Sequence, residues 1–414
     1  MMFTWCDKFL KKGLSIPNKR LFGNYNFSCF EDINHIAEVE WERALNGANL
    51  FLSYNYLKAL QLQQTDAFRF RYVLVYNRKN PIGVIYFQIN DFSASLFGTF
   101  VESQINDLKN HRSSVFQKYI EKNKNETVMR LVTCGNNFIS GEHGFYLNIN
   151  HRKTRFKLLE EVIDCVSRVE KLRGKISAVL VKDFYEETFG NKDCWYCPKF
   201  IHFNGEPNMI VQIPEGLSKL DDYLAMFSKK YRNRAKGILK AGAPLVKKRL
   251  TIEDLIEHKQ SIYKLYTNVF LQAKFKLAHV SENYFLDVMQ QLPQQFYMDA
   301  WFLNGKMVSF AGGFYLKNEI EAHYVGFDYE INKEYDLYQN ILYSYLETAI
   351  LANKQRLNLG RTASEIKSTI GAKAHELICY IRPQNTVSKL ILKPFIQFLQ
   401  PTQWIPRNPF KEGE

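Results

Sequence analysis

The sequence has few cysteines and no long hydrophobic run. Seven cysteines are scattered over 414 residues, a distribution that argues against a disulfide framework and predicts a reducing compartment. No stretch approaches the ~20 apolar residues of a transmembrane helix, and Met1–Arg20 has no apolar core of signal-peptide length. We therefore expect a cytoplasmic protein, for which peripheral contact with the inner membrane face stays open.

Motifs for metal and nucleotide binding are also missing. The one close cysteine pair, Cys194 and Cys197, has only His202 nearby, whereas a structural zinc site needs four ligands. We therefore expect no metal. No GxGxxG or GxxxxGK[ST] loop precedes a helix, which argues against nucleotide binding through those loops. Helix-turn-helix, zinc-finger and RNP signatures are absent too, so a nucleic-acid-binding protein is an alternative that rests on charge alone.

Acidic residues are absent between Ser228 and Leu250, where nine basic residues stand. The whole chain has a net charge of +13, which predicts a negatively charged partner: nucleic acid, a phosphate-bearing cofactor or an anionic membrane. On a helix the basic side chains would share one face and the apolar ones another. The basic face would hold Lys229, Arg232, Lys236 and Lys240, and the apolar face Tyr231, Ala235 and Ile238.

The two halves of the chain share a pattern of one helix followed by two strands around a turn. The predicted elements are Leu50–Leu62, Phe70–Tyr76 and Ile82–Ile89 in the first half, and Glu282–Leu292, Phe296–Phe302 and Met307–Tyr315 in the second. Asn304-Gly305 between the last two strands is a strong hairpin signal. Two copies of one helix–hairpin unit are the simplest account. Turn-forming residues at Asn204–Pro207 place the boundary between the copies.

These patterns predict three segments. Residues 1–205 would form an N-terminal domain, and residues 206–385 a second domain. Residues 386–414 would form a basic amphipathic tail. No acidic residue occurs from Leu377 to Lys411. The tail is typical either of a segment that lies on an anionic membrane or of a terminal helix that closes the core.

Polar residues cluster at the predicted strand ends of the second half. Gly312 and Gly313 lie inside a strand, which indicates a bulge or the close approach of a ligand. Strand alternation would place His323, Val325 and Phe327 on one face, with Asp328 at the strand end. An amine nucleophile is mostly protonated near neutral pH, so a general base is useful. The candidate bases are His323, Asp328 and Glu365.

Two further segments can hold substrate groups. A predicted helix, Asn332–Asn353, carries Tyr338 and Asn340, and its N-terminus can face phosphate. The segment after the short strand at Leu357 gathers polar residues too densely for mere solvation. Those singled out as substrate-binding are Tyr324, Arg361, Thr362 and Lys367, the two cations being suited to an acidic group or a phosphate.

Four segments make the chain resemble the GNAT-fold N-acyltransferases in the double-domain form of the Fem peptidyltransferases. They are DDYLAMFSKKYRNRAKGILKAG, FLNGKMVSFAGGFYL, HYVGFDYEINKEYDLYQNILYSYLETAI and LNLGRTASEIKSTIGA. The resemblance implies an α+β fold of two tandem domains, each a twisted mixed sheet flanked by helices, with residues 206–385 catalytic and residues 1–205 structural or acceptor-binding. It also implies an acyl donor held in a V-shaped gap between two central strands, here Met307–Tyr315 and Glu321–Asp328.

By the same resemblance, Tyr231, Arg232 and Arg234 would steady donor phosphates, and Gly312 and Gly313 would lie against the thioester arm. The implied reaction is transfer from an acyl-CoA or acyl-ACP co-substrate, with a long acyl chain, to an amine acceptor in a lipid or cell-envelope pathway. No tightly bound cofactor is implied. Fem-like aminoacyl transfer to a peptidoglycan precursor is the alternative. The usual pyrophosphate loop is missing before Asn332, which argues against an ordinary acetyl-CoA mode.

Overall fold

The computed structural model describes residues 14–93, 128–186, 199–272, 278–386 and 403–411, with residues 388, 389, 392, 396, 400 and 401 between the last two ranges. The Cys194–Cys197 pair and most of the predicted tail lie outside these residues. The chain divides into two compact units. The first contains the described residues up to Asn137, then Gly141–Gly205 and Leu377–Pro401. The second contains Phe138–Ser140, Glu206–Glu376 and the described residues after Pro401.

The first unit is a mixed sheet with helices. Its strands are β1 (Leu14–Arg20), β2 (Tyr25–Phe30), β3 (Phe68–Asn77), β4 (Asn80–Ser93), β5 (Val128–Cys134), β6 (Phe145–Leu147) and β7 (Ile176–Tyr185), joined by the end of β14 (Lys373–Pro383). They follow the order β1-β2-β3-β4-β5-β7-β14, and β6 pairs with β4. The α-helices are α1 (Glu38–Leu45), α2 (Tyr54–Gln61) and α3 (Arg152–Arg173), and short 3₁₀ turns lie at Ile33–His35 and Leu50–Leu52.

The predicted helix Leu50–Leu62 is interrupted at its start. Ser53 has extended backbone and its hydroxyl accepts a hydrogen bond from the Tyr56 N–H, so it caps α2 and separates the helix from the 3₁₀ turn. The hairpin predicted to follow is confirmed as β3 and β4, which pair antiparallel along their length. The apolar residues of this sheet and of α3 form the first core.

The second unit repeats the plan. Its strands follow the order β8-β13-β12-β11-β10-β9. They are β8 (Ile201–Gln212, in this unit from Glu206), β9 (Val246–Arg249), β10 (Phe296–Leu303), β11 (Lys306–Tyr315), β12 (Glu319–Phe327) and β13 (Arg356–Asn358). The helices are α4 (Leu220–Ala225), α5 (Lys229–Ala241), α6 (Ile252–Glu257), α7 (Lys259–Gln272), α8 (Tyr284–Gln291), α9 (Tyr329–Tyr335), α10 (Leu337–Leu351) and α11 (Ser364–Ser368).

The predicted Asn-Gly hairpin is confirmed. Leu303 pairs with Lys306, so Asn304 (φ 50°) and Gly305 (φ 79°) form a two-residue turn with positive φ at both positions, as an Asn-Gly turn favours. The single helix predicted over Asn332–Asn353 is wrong at its N-terminal end, because Asp336 (φ 48°) is left-handed and separates α9 from α10. Among the described helices, none combines the length and apolarity needed to span a bilayer.

Candidate active site

The parallel strands β12 and β13 of the second unit part after a short contact. They pair over only three positions, Glu319–Glu321 against Arg356–Asn358. Beyond that point β12 stays paired with β11. The chain after β13 stays with β8, because the Leu359 N–H donates to the Met209 carbonyl and the Met209 N–H donates to the Gly360 carbonyl. The sheet therefore opens along the β12 edge, where backbone groups have no β13 partner. We call this feature the β12–β13 opening.

The prediction of which two strands form the gap is wrong. Met307–Tyr315 and Glu321–Asp328 were expected to splay apart, but β11 and β12 pair from Ser309–Phe327 to Tyr315–Ile320 with one bulge. At that bulge the Tyr345 hydroxyl donates to the Gly312 carbonyl and accepts from the backbone N–H of His323. A side chain of α10 thus fills the one irregularity between these two strands.

The bulge falls at Tyr324, a non-glycine residue with φ 45°. It adds one residue to β12 and so changes the faces that simple alternation predicts. Val325 and Phe327 pack in the core on the α10 side, whereas His323 and Tyr324 both contact Tyr284 of α8 on the opposite face. The predicted grouping of His323 with Val325 and Phe327 is therefore wrong.

His323 is buried and neutral. Its Nε2 lies 2.7 Å from the Tyr284 hydroxyl, and burial lowers the pKa of the imidazole to about 3. A base with so low a pKa takes up little proton near neutral pH. The rings of Phe314, Tyr284 and Tyr324 surround it. The structure therefore places the predicted base His323 where it orders β12 beside the opening.

Gly312 and Gly313 lie in β11, which is paired on both sides. A Cβ on Gly312 would come within 2.6 Å of the His323 carbonyl, and one on Gly313 within 2.6 Å of the Tyr297 ring. Both glycines are thus needed for close packing inside a complete sheet. Their predicted contact with a thioester arm depended on the β11–β12 gap and loses that support.

Two buried polar residues missed by the sequence analysis, Glu321 and Asn358, lie at the base of the opening. Glu321 is 2% exposed and accepts a 2.8 Å hydrogen bond from the Asn358 amide across the last parallel pair. Burial and repulsion from Glu319 raise the pKa of the Glu321 carboxyl well above its usual range. Glu319 pairs with Arg356 at 3.0 Å. The sequence contained a signal for these residues, because strand alternation puts Glu319 and Glu321 on one face of an otherwise apolar strand.

The segment from Gly360 to Lys367 follows directly from the opening. Gly360, Thr362 and Ala363 all have positive φ, and this is strained for a β-branched residue such as Thr362. The buried Lys367 amine holds the segment by donating to the carbonyls of Gly360 and Arg361. Burial lowers the pKa of Lys367 to about 7, although the nearby Glu206 and Glu321 oppose the shift. The predicted acceptor-binding residues Arg361, Thr362 and Lys367 are thus brought together.

The remaining base candidates are more exposed. Asp328 caps α9, where its carboxylate accepts from the Glu330 N–H at 3.1 Å. The Glu365 carboxylate accepts from the Arg407 Nε at 3.0 Å, and the Arg407 backbone N–H donates to the Ser368 hydroxyl. The described terminal segment, residues 403–411, therefore lies against α11, at the rim of the Gly360–Lys367 segment. Neither carboxylate is directed at the β12–β13 opening by these bonds.

The predicted donor-phosphate residues lie on α5, whose faces are as predicted: Ala235 and Ile238 are buried, and the basic side chains point outward. Tyr231 is half-buried and packs against the core. Arg234 donates to Gln339 in the first turn of α10 at 3.0 Å, and Arg232 is half-buried. This helix thus runs from the terminal segment to the start of α10.

The N-terminus of α10, which would face a pyrophosphate, is partly occupied by a side chain of the same unit. The Tyr338 N–H donates to the Asn332 side chain at 3.0 Å, and the Asn340 amide donates to the carbonyls of Ile238, Tyr335 and Asp336. Tyr338 stacks obliquely on Phe327. The Asn332 side chain thus occupies one of the first N–H groups of α10, and a phosphate would have to displace it there.

One group of side chains in the described residues has the spacing of a metal site. Asp254, Glu257 and His258 lie on and just after α6 with their ligand atoms within 4.8 Å of one another. The Asp254 carboxylate is, however, already bonded to the Lys248 amine at 2.6 Å and to the Thr251 N–H. Asp254 thus belongs to the capping box at the start of α6.

Comparison with solved structures shows the fold. FemX superposes with a TM-score of 0.51 over 87% of this chain and 98% of its own, at 12% identity. The chain has the FemX fold. This confirms the predicted α+β class with two Fem-like domains of twisted mixed sheet and helices.

Weaker likenesses, both with a TM-score of 0.45, are to L-PGS from Bacillus licheniformis and to a tandem GNAT protein from the clavulanic acid biosynthesis pathway. The first is 12% identical over 86% of this chain and 97% of its own, and the second 7% identical over 87% and 98%. No family model and no curated protein matches the sequence.

Proposed function

We propose that the second unit is an N-acyltransferase whose reaction takes place at the β12–β13 opening. The observation that carries the proposal is the parting of two parallel strands just beyond Glu321 and Asn358. An exposed strand edge offers backbone donors to an extended acyl or pantetheine arm, as in strand addition. Donors of this kind can also stabilise the oxyanion that forms when a thioester carbonyl is attacked.

The proposed reaction needs one proton donor and one cation. The acceptor amine attacks the thioester carbon, the new C–N bond forms, the C–S bond breaks and a thiolate leaves. Glu321, whose carboxyl pKa is raised well above its usual range by burial and by Glu319, acts as the acid and gives its proton to the leaving thiolate. The N–H proton that the acceptor loses restores Glu321. Lys367, close to Glu321, supplies positive charge to the oxyanion when it is protonated.

The N-terminus of α10 affects which donor can bind. A CoA pyrophosphate would have to displace the Asn332 side chain from the Tyr338 N–H, and the Asp336 carboxylate at the helix start would repel it. A donor whose carrier stays outside the opening avoids this competition. We therefore propose acyl-ACP rather than acyl-CoA, with a long acyl chain and an amine acceptor in lipid or cell-envelope synthesis. An aminoacyl ester also lacks the pyrophosphate, so Fem-like aminoacyl transfer to a peptidoglycan precursor is the second candidate.

A donor competition tests this proposal. The purified protein is given radiolabelled palmitoyl-ACP, palmitoyl-CoA or charged tRNA, with a bacterial polar lipid extract or soluble peptidoglycan precursors as acceptor. We expect base-stable amide label in lipid from palmitoyl-ACP, and none with Glu321→Gln. Label in the precursors from charged tRNA would select the second candidate. No transfer from any donor, or full transfer by the variant, would refute the site.

A further inference from the structure

A surface of the second unit combines basic side chains with exposed isoleucines. It is formed by the start of α5, by α11 and by the described terminal segment. Its residues, which we call the docking surface, are Lys229, Lys230, Arg232, Ile366, Ile405 and Arg407. Ile405 is 61% exposed and Ile366 38% exposed. Exposed aliphatic side chains beside cations suit a partner that offers both an apolar layer and negative charge.

Hydrogen bonds hold these three elements together. The Ser228 N–H at the start of α5 donates to the Pro409 carbonyl at 2.8 Å, and the Arg407 backbone N–H donates to Ser368 of α11 at 3.0 Å. Phe410 packs against Tyr223 and Phe227. The terminal segment is therefore fixed between α5 and α11, and Ile405 is presented on an ordered surface.

The charges of this surface are largely uncompensated. Among the described residues, Lys229, Lys230 and Arg232 take part in no ion pair, and Glu365, the acidic residue of α11, is neutralised by Arg407. The pattern fits a partner with dense negative charge and an apolar layer beneath it. An anionic bilayer has both, whereas a nucleic-acid backbone has no layer that receives isoleucine side chains. Bases stack on aromatic rings instead.

We propose that the docking surface binds the headgroups of an anionic membrane and inserts Ile405 and Ile366 at the interface. The Gly360–Lys367 segment, which leads from the β12–β13 opening, ends in α11, so the bound face would bring the rim of the opening to the lipid. That consequence rests on the proposed function, because it supplies a membrane-borne substrate to the transferase. Vesicle binding itself is measured without turnover.

Vesicle sedimentation of the full chain tests the inference. Phosphatidylcholine vesicles with phosphatidylglycerol should bind the protein, and those without it should not. Removing both lysines (Lys229→Ala with Lys230→Ala) should weaken partitioning about twentyfold, and Ile405→Ser about tenfold. The matched controls are Lys264→Ala with Lys373→Ala, and Ile256→Ser, a 58% exposed isoleucine on α6. These should bind as the unchanged protein does.

Three outcomes would overturn the inference. They are no binding to phosphatidylglycerol vesicles at low salt, equal losses in the control variants, and duplex RNA bound through the same lysines while vesicles are not. Turnover of a soluble amine separates the two proposals. Vesicle binding by a protein inactive with every donor would refute the proposed function alone, and activity without vesicle binding would refute the docking surface alone.

Discussion

The two units contain the same order of elements but differ at the place where their parallel strands part. Each has a hairpin, a strand, a helix and a parallel strand, and the second hairpin strand begins at Asn80 in one unit and at Lys306 in the other, 226 positions on. In the second unit β12 continues past Glu321 with a one-residue bulge. In the first, the chain leaves β5 after Cys134 and returns beside β4 as β6.

The excursion after β5 bonds to the extension of β7. The Lys182 amine donates to the Asn136 carbonyl at 2.6 Å, the Gly141 N–H to Asp183 at 3.4 Å, and the Tyr185 N–H to Glu142 at 2.9 Å. The place that is open in the second unit is therefore closed in the first by its own chain. The comparison teaches that the repeated scaffold alone does not make a site. A site can form only where the N–H groups of the strand edge remain unpaired.

The largest expected effect is a loss of stability when the buried ion pair that closes the first unit is broken. Asp183→Asn leaves the Lys182 ammonium, 5% exposed, without its carboxylate, and should lower the free energy of unfolding by about 3–5 kcal/mol. Asp299→Asn in the second unit is the matched control. Its partners Arg249 and Lys247 are 46% and 34% exposed and can be resolvated, so the loss should be smaller. Equal losses in urea denaturation would contradict this difference.

The second prediction separates chemistry from stability. Glu321→Gln should lower kcat/KM about a hundredfold, since an amide cannot protonate a thiolate. It should leave stability nearly unchanged, because an amide that still accepts from Asn358 replaces a carboxyl whose pKa is raised by burial. In the first unit, Glu170→Gln should do the reverse, because it weakens the buried pair with Arg71. Normal turnover by Glu321→Gln would rule out its role as the acid.

Local sequence signals made much of the fold predictable. The Asn304-Gly305 turn, the strands of both hairpins and the two faces of α5 follow from spacing and turn chemistry. The neighbour of β12 could not be predicted in the same way, because β13 reaches it only after the whole of α10 has packed on the sheet. The bulge at Tyr324 likewise depends on Tyr345, a distant residue whose hydroxyl enters the ladder. Glu321 was available from alternation and was missed.

The third prediction concerns acid. The folded pKa of His323 is lowered to about 3, below the unfolded value, so the unfolded chain binds more protons between pH 3 and about 6.5. The contribution of His323 to the free energy of unfolding should therefore be constant above that range and fall as the pH falls through it. At pH 5 the loss should be about 2 kcal/mol. His323→Phe should remove that part of the pH dependence. An unchanged acid-unfolding curve would show that His323 is not kept neutral.

The smallest effect should fall on Lys367, which is an ammonium below its pKa of about 7 and an amine above it. If its charge stabilises the oxyanion, the ratio of kcat/KM between the unchanged protein and Lys367→Met should be about tenfold below pH 7 and decline above it. The ratio cancels the titration of the acceptor amine. Lys354 is the matched control, because its amine also donates to two consecutive carbonyls, those of Leu316 and Lys317. A flat ratio for Lys367→Met, like that expected for Lys354→Met, would reduce Lys367 to a structural clamp of the Gly360–Arg361 turn.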